Sequence, residues 1–265
     1  MEALILAGGR GSRVNELSES VNKCMIKMMG KPLLEYNLDI LAKLDIQEVI
    51  IVVAYKAEDI INTFGTNYSG MRIKYVIQRE QKGLVHAIET AKTYLDDDFI
   101  LMLGDEILVE TRHVEMVGKF HNNKIFAICG VVPVENKMRI CKTYSIFFNE
   151  KNRILRLVEK PKKPLNNLMG TGNCIFSKEI VNYIEITPIS HERGEKELPD
   201  LIQCAIDDGE IIEYFEIANY YYNINSYGDL REAESLISEL AEKEQSLYAS
   251  NLYLRQKLNE NSYGK

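Results

Sequence analysis

No apolar run in this chain approaches the ~20 residues needed to cross a bilayer, so no membrane span is expected. Basic surplus is also missing. The formal net charge is -7, no basic face is evident, and a nucleic-acid partner is not expected. The five cysteines, Cys24, Cys129, Cys141, Cys174 and Cys204, are scattered and odd in number, with no C-x-x-C pair. That excludes a zinc site and a disulfide framework of the usual spacing. No basic segment precedes an apolar stretch at the start, and Glu2 stands where an export signal would be basic, so a reduced, cytoplasmic protein is expected. There is no internal repeat and no low-complexity linker. His86, His113, His121 and His191 show no ligand spacing, and no Ser/His/Asp or Cys/His pairing marks a nucleophile.

What is present is a long, core-forming chain. Its 265 residues are 46% hydrophobic and 27% charged, enough for one large domain or a domain with an appendage. The apolar run Ala3-Leu4-Ile5-Leu6 breaks into Ala7-Gly8-Gly9-Arg10-Gly11-Ser12-Arg13, a strand leading to a glycine-rich loop that ends in a cation. Such a loop lets backbone N–H groups approach an anion. With Arg10, Arg13 and Lys23 it suits a polyphosphate. The dinucleotide fingerprint needs G-x-G-x-x-G, and here the third glycine is missing. A plain turn without ligand is the remaining alternative.

The first half alternates strand and helix patterns. Val49–Val53 is β-branched throughout and reads as a strand buried on both faces. Ile73–Ile77 and Phe99–Leu103 read as further strands, with helices over Pro32–Leu44, Glu58–Phe64 and Leu84–Leu95 between them. This order predicts an α/β fold, a Rossmann-like, mostly parallel mixed sheet flanked by helices, with ligands beyond the carboxyl ends of the strands. In the second half Ile125–Val134, Tyr144–Phe148, Ile154–Val158 and Asn173–Phe176 read as strands, and Glu197–Asp207 as a helix. The expected partition is a domain over residues 1–229 and a long C-terminal helix over 230–265. From Leu230 to Leu258 there is no Gly or Pro. Leu230, Ile237, Glu244, Asn251 and Leu258 fall at a positions, with Ala233, Leu240, Leu247 and Leu254 at d. That spacing fits a coiled coil, hence a homo-oligomer, or an amphipathic helix lying on its own domain.

Three strand ends carry candidate chemistry. Gly104-Asp105 follows a buried strand, where a carboxylate can hold Mg²⁺ or merely form a turn. Gln78 ends a strand five residues before Gly83, and its amide can read a base edge or face solvent. Glu159-Lys160-Pro161 ends another strand, where Lys160 could hold an anion and Glu159 could accept from hydroxyls.

Together and in this order, these pieces resemble the nucleotidyltransferases that join a nucleoside triphosphate to a sugar 1-phosphate, such as the glucose-1-phosphate thymidylyltransferases and N-acetylglucosamine-1-phosphate uridylyltransferases. The resemblance covers about residues 1–235. Leu6-Ala7-Gly8-Gly9-Arg10-Gly11-Ser12-Arg13 is similar to the family's L-A-G-G-x-G-[ST]-R. Lys23 is similar to its phosphate-binding lysine, and Lys31-Pro32-Leu33-Leu34-Glu35-Tyr36 to its K-P segment. Gln78 to Gly83 resembles its base-reading stretch, Leu103-Gly104-Asp105 its metal-binding L-x-G-D, and Glu159-Lys160-Pro161 its E-K-P. Thr171-Gly172 falls where a backbone turn meets the sugar, in a pocket also shaped by Gly104 and Tyr144. Asn223 or Asn225 falls where a second Mg²⁺ ligand is expected.

This chain departs from the pattern at Asn22, where Pro is usual, at Glu106, where Asn is common, at Ser145, where Gly is usual, and at the metal ligand, which is Asp in many members. The resemblance implies in-line attack of a sugar phosphate oxygen on the α-phosphorus of UTP or dTTP. Arg13 and Lys23 would hold the triphosphate, Lys160 the sugar phosphate, and Mg²⁺ would be the cofactor. Two other readings stay open: a cytidylyltransferase of the same fold acting on a phospho-alcohol or phosphonate, and a non-catalytic nucleotide-binding scaffold working through its tail.

Overall fold

The computed structural model describes residues 1–9 and 21–243. The chain divides into two compact units, Met1–Asn223 and Ile224–Lys265. In the first, the parallel heart of a ten-stranded sheet is built by β1 (Glu2–Ala7), β4 (Glu48–Val53), β6 (Met71–Ile77) and β7 (Phe99–Leu103). The short β5 (Asn67–Tyr68) pairs antiparallel with β6 at one edge. On the other side the sheet turns antiparallel, through β12 (Leu168–Phe176), β10 (Tyr144–Phe148) and β11 (Ile154–Glu159). A branch adds β9 (Ala127–Pro133) antiparallel to β12 and β13 (Ile212–Glu216) parallel to β9. A separate ribbon pairs β8 (Glu106–Thr111) antiparallel with β14 (Ala218–Asn223). A small hairpin joins β2 (Lys27–Met28) to β3 (Lys31–Pro32) through Met29 (φ 50°) and Gly30 (φ 81°). Two successive positive φ values are the type I′ geometry that suits the twist of a two-residue hairpin.

Alternation along the parallel strands explains the layers. In β4 every residue is buried, as its β-branched run predicts. Val49, Ile51 and Val53 face one cluster with Leu34, Leu38 and Leu41 of α1 (Leu33–Ala42), Ile60 and Phe64 of α2 (Ala57–Phe64), and Met116 and Phe120 of α4 (His113–Asn123). Ile50 and Val52 face the other, with Val85 and Ile88 of α3 (Leu84–Ala91) and Leu201 and Ile202 of α5 (Leu198–Asp207). Phe99 and Phe176 are fully buried on that second side, ring centroids 5.7 Å apart. Phe176→Ala is therefore expected to cost about 3–5 kcal/mol in urea unfolding. Leu165→Ala, at a residue 68% exposed, provides the control, with a cost near zero. Equal losses would contradict this account of the core.

The expected helix over Leu84–Leu95 stops at Ala91 and tightens to a 3-10 turn over Lys92–Tyr94. The β-branched and aromatic side chains of Thr93 and Tyr94 favour the helix less. The expected strand Asn173–Phe176 begins earlier, at Leu168, because a bulge interrupts it: Gly170 opposes Val131 and Cys174 opposes Cys129, leaving Thr171 to Asn173 looped out of register. Helix α4 and strands β8, β13 and β14 were not expected from the sequence. The second unit, where described, contains a helix over residues 227–243. It opens on a reciprocal cap, Asp229 N–H donating to Ser226 Oγ at 3.1 Å and Ser226 Oγ to Asp229 Oδ2 at 2.9 Å. Of the heptad positions, Glu244, Leu247, Asn251, Leu254 and Leu258 lie outside the described residues.

Candidate active site

The predicted residues gather where β1, β6, β7 and β11 end. Arg10, Gly11, Ser12 and Arg13 lie outside the described residues. The start of the loop is described and tightly placed. Gly104 N–H donates to Leu6 O at 3.0 Å, which sets the β7 end beside the β1 end. A Cβ on Gly104 would lie 2.9 Å from Cys24 Sγ. Asn22 is fully buried. Its amide nitrogen donates to Ala7 O (3.1 Å) and Tyr55 O (2.7 Å), and its oxygen accepts from Cys24 N–H at 2.8 Å. Where the related pattern has proline, this chain fixes Lys23 with three hydrogen bonds.

Lys23 Nζ bonds to Asp105 Oδ2, and to Asn223 Oδ1 at 3.1 Å. The lysine side chain is 7% exposed and Asp105 24%. Asn223 is brought there by β14, whose register sets it opposite Glu106. Asn225 belongs to the second unit, where its N–H donates to Asp229 Oδ2 at 2.9 Å. Among the described residues no group of three or more His, Cys, Asp or Glu side chains could hold a metal. One carboxylate and one amide oxygen converging on a single cation is the donor chemistry of Mg²⁺, which completes its shell with water and phosphate oxygens.

Glu106, beside Asp105, is 2% exposed. Burial pushes its carboxyl up to about 7; the adjacent Asp105 adds to this, and hydrogen bonds from Tyr221, Gly172 and Asn173 oppose it. Tyr221 Oη donates to Oε1 at 2.6 Å, Asn173 Nδ2 to Oε2 at 3.0 Å, and Gly172 N–H lies 3.0–3.1 Å from both oxygens. Asn173 Oδ1 lies 3.0 Å from His113 Nε2. Burial pushes His113 down to about 4. One carboxylate thus ties the bulge of β12 to β8 and β14. The expected turn at Thr171-Gly172 is this bulge. Its other polar atoms are also engaged: Tyr144 Oη donates to Thr171 O at 3.0 Å, and Thr171 Oγ1 to Gly130 O at 2.9 Å. Side chains at Gly170 and Gly172 would collide with the Tyr144 ring and with Leu103, respectively. Ser145 is buried in β10, opposite Met169 and Val158.

Tyr144 pairs across the strands with Glu159. Glu159 is pushed up to about 7, first by burial and then by the nearby Glu197; Lys160 and Arg193 oppose this. Lys160 has a left-handed backbone (φ 41°), its Nζ 3.3 Å from Glu159 Oε1. Arg193, which the sequence reading missed, reaches Glu159 (3.6 Å), Glu195 (2.5 Å) and Glu197 (3.1 Å). Nothing in the charge run His191 to Glu197 singles it out; only the fold does. Glu195 in turn covers Gly83, where a Cβ would lie 2.5 Å from its Oε2. The segment 191–197 therefore touches both the expected base-reading stretch and the E-K-P strand end.

At that stretch Gln78 is 5% exposed, and its Nε2 lies 3.2 Å from Gly83 O and 2.9 Å from His86 Nδ1. Gln81 Nε2 donates to Gly8 O at 2.5 Å, binding the stretch to the glycine loop.

A sequence model of the nucleotidyl transferase family matches residues 2–242. The UTP–glucose-1-phosphate uridylyltransferase AglF of Haloferax volcanii is 34% identical over 243 residues, 90% of this chain and 97% of that protein. A glucose-1-phosphate thymidylyltransferase of Streptomyces griseus is 30% identical over 247 residues, 91% of this chain and 67% of that protein. Among solved structures, UDP-glucose pyrophosphorylase complexed with UDP-glucose superposes with a TM-score of 0.81 at 20% identity, covering 90% of this chain and 98% of the other. At that identity the likeness speaks for the fold.

Proposed function

Because the chain belongs to the nucleotidyl transferase family, we propose that it joins a nucleoside triphosphate, UTP or dTTP, to a sugar 1-phosphate, giving an NDP-sugar and pyrophosphate. The observation that carries the reading is the convergence of Lys23, Asp105 and Asn223 at the strand ends beside the glycine loop. These are a cation and two oxygen ligands, the equipment of phosphoryl-group chemistry and not of acid–base or covalent catalysis.

The sugar phosphate oxygen is anionic already and needs no protein base. It forms a bond to the α-phosphorus as the bond from that phosphorus to the β-phosphate bridging oxygen breaks, and pyrophosphate leaves with the electron pair. The work left to the protein is alignment and charge neutralisation. Lys23 is assigned to the phosphates, and Lys160 to the sugar phosphate. Arg13 with the amides of Gly8, Gly9 and Gly11 is assigned to the triphosphate. Glu159, Tyr144 and the Thr171-Gly172 bulge are assigned to the sugar. Asp105 and Asn223 are the residues to hold Mg²⁺, which supplies Lewis-acid neutralisation of phosphoryl oxygens when bound. A cytoplasmic location and self-association through the helix that begins at residue 227 belong to the same proposal.

Pyrophosphate release from UTP or dTTP with glucose 1-phosphate and Mg²⁺ tests it. Turnover that stops on chelation with EDTA and returns with Mg²⁺ is the expected result. No release with any triphosphate across a panel of sugar 1-phosphates would refute it.

A further inference from the structure

We propose that His86 is a positioning residue that locks the amide of Gln78 with its oxygen outward, and so restricts the enzyme to pyrimidine nucleotides bearing an N3–H. The inference rests on the nucleotidyltransferase reading and names the base that this site takes.

The orientation of the amide follows from its neighbours. Gly83 O can only accept a hydrogen bond, so the group 3.2 Å from it must be the Gln78 nitrogen. That nitrogen has a second hydrogen, and His86 Nδ1 lies 2.9 Å away to take it. The imidazole is then the neutral tautomer with its proton on Nε2. Both amide hydrogens are spent inside the protein. What remains is Oε1, and a Cβ on Gly8 would lie only 3.1 Å from it, so the oxygen is turned toward the glycine loop. No donor reaches Oε1 among the described residues. Gly83 and His86 hold this arrangement from one helix start, since Gly83 (φ 90°) precedes α3 and His86 lies in its first turn. The glycine's left-handed backbone aims its carbonyl at the amide.

An amide that shows only an acceptor selects its ligand by sign. Uracil and thymine carry N3–H, a donor; cytosine carries a bare N3, an acceptor. Two acceptors face to face leave both unpaired in a site where Gln78 is 5% exposed, and a site built around a hydrogen bond rejects strongly the analogue that cannot make it. The free rotation that would let a glutamine serve either base is what the Gly83 and His86 bonds together remove, His86 holding the hydrogen that the longer Gly83 contact leaves over.

The test is kcat/KM and calorimetric Kd for UTP, dTTP, CTP and N3-methyl-UTP, with glucose 1-phosphate as acceptor, on the wild-type chain, His86→Ala and His86→Asn. The wild type should prefer UTP and dTTP to CTP by about 10²-fold and reject N3-methyl-UTP similarly. In His86→Ala, which keeps a good helix former in α3, the UTP to CTP ratio should fall about tenfold or more. His86→Asn, whose side-chain oxygen can accept the same bond, should restore the ratio. A purely structural role for His86 would move the melting temperature or all nucleotides together. Equal use of CTP and UTP by the wild type, acceptance of N3-methyl-UTP, or an unchanged ratio in His86→Ala overturns the proposal. If no triphosphate turns over, the enzymatic reading falls separately, and the same ratios read from Kd still decide the base.

Discussion

Asp105→Ala is expected to lose turnover by at least about 10²–10³-fold and to lose its response to Mg²⁺ in the same step. The carboxylate meets Lys23 Nζ together with the Asn223 amide oxygen, and of that pair it alone carries a formal negative charge. Removing it leaves Asn223, a neutral ligand that holds a divalent ion weakly. It also takes the Asp105 carboxylate away from an ammonium whose side chain is 7% exposed. The variant therefore needs a companion. Asp105→Asn keeps the shape and the hydrogen bond to Lys23, so its fold should survive while the metal titration flattens. Steady-state rates against Mg²⁺ concentration, with melting temperatures as the check on folding, separate the two causes. Either variant retaining more than a few per cent of wild-type turnover while folded would end the assignment of Asp105 as a metal ligand.

The second large effect is expected one residue along. Glu106→Leu should destabilise the protein by roughly 3–6 kcal/mol, because Gly172 N–H, Asn173 Nδ2 and Tyr221 Oη would be left as buried donors without an acceptor. Glu106→Gln should cost less, on the order of 2 kcal/mol, since one amide hydrogen is pushed into a ring of donors and one oxygen remains. The functional signature should be uneven. The carboxylate holds the bulge assigned to the sugar, so KM for the sugar phosphate should rise several-fold in Glu106→Gln, with KM for the triphosphate nearly unchanged. Urea unfolding and two-substrate kinetics read the two parts. A Glu106→Leu protein as stable as the wild type would show that this network is dispensable.

Much of the architecture was legible because its causes are local. Val49–Val53 could only be a strand covered on both faces, and β4 is buried throughout. Leu103-Gly104-Asp105 put a carboxylate at a strand end, and the structure sets it against Lys23. What stayed hidden depends on distant partners. Glu106 read as a departure beside Asp105, and nothing nearby tells that a bulge in β12 would spend its amides on it. Gly170 carries no sign that a tyrosine ring lies where its Cβ would be. His86 shows no ligand spacing because its partner is an amide and not a metal. Helix α4 was missed for another reason: Met116, Val117 and Phe120 make only a short stripe, with Gly118 inside it and the polar run His121 to Asn123 after it.

The pairing of β14 with β8 has a consequence during synthesis. Tyr221 and Glu106 are 115 residues apart in the chain. At about 5–20 residues per second, the ribosome separates their emergence by roughly 6–23 s. Throughout that interval the parallel half can collapse, yet Glu106 still lacks the Tyr221 hydroxyl and Lys23 still lacks the Asn223 amide oxygen. The nascent chain should therefore pass through a collapsed stage in which the Lys23–Asp105–Asn223 cluster is incomplete, closing only once β14 has emerged.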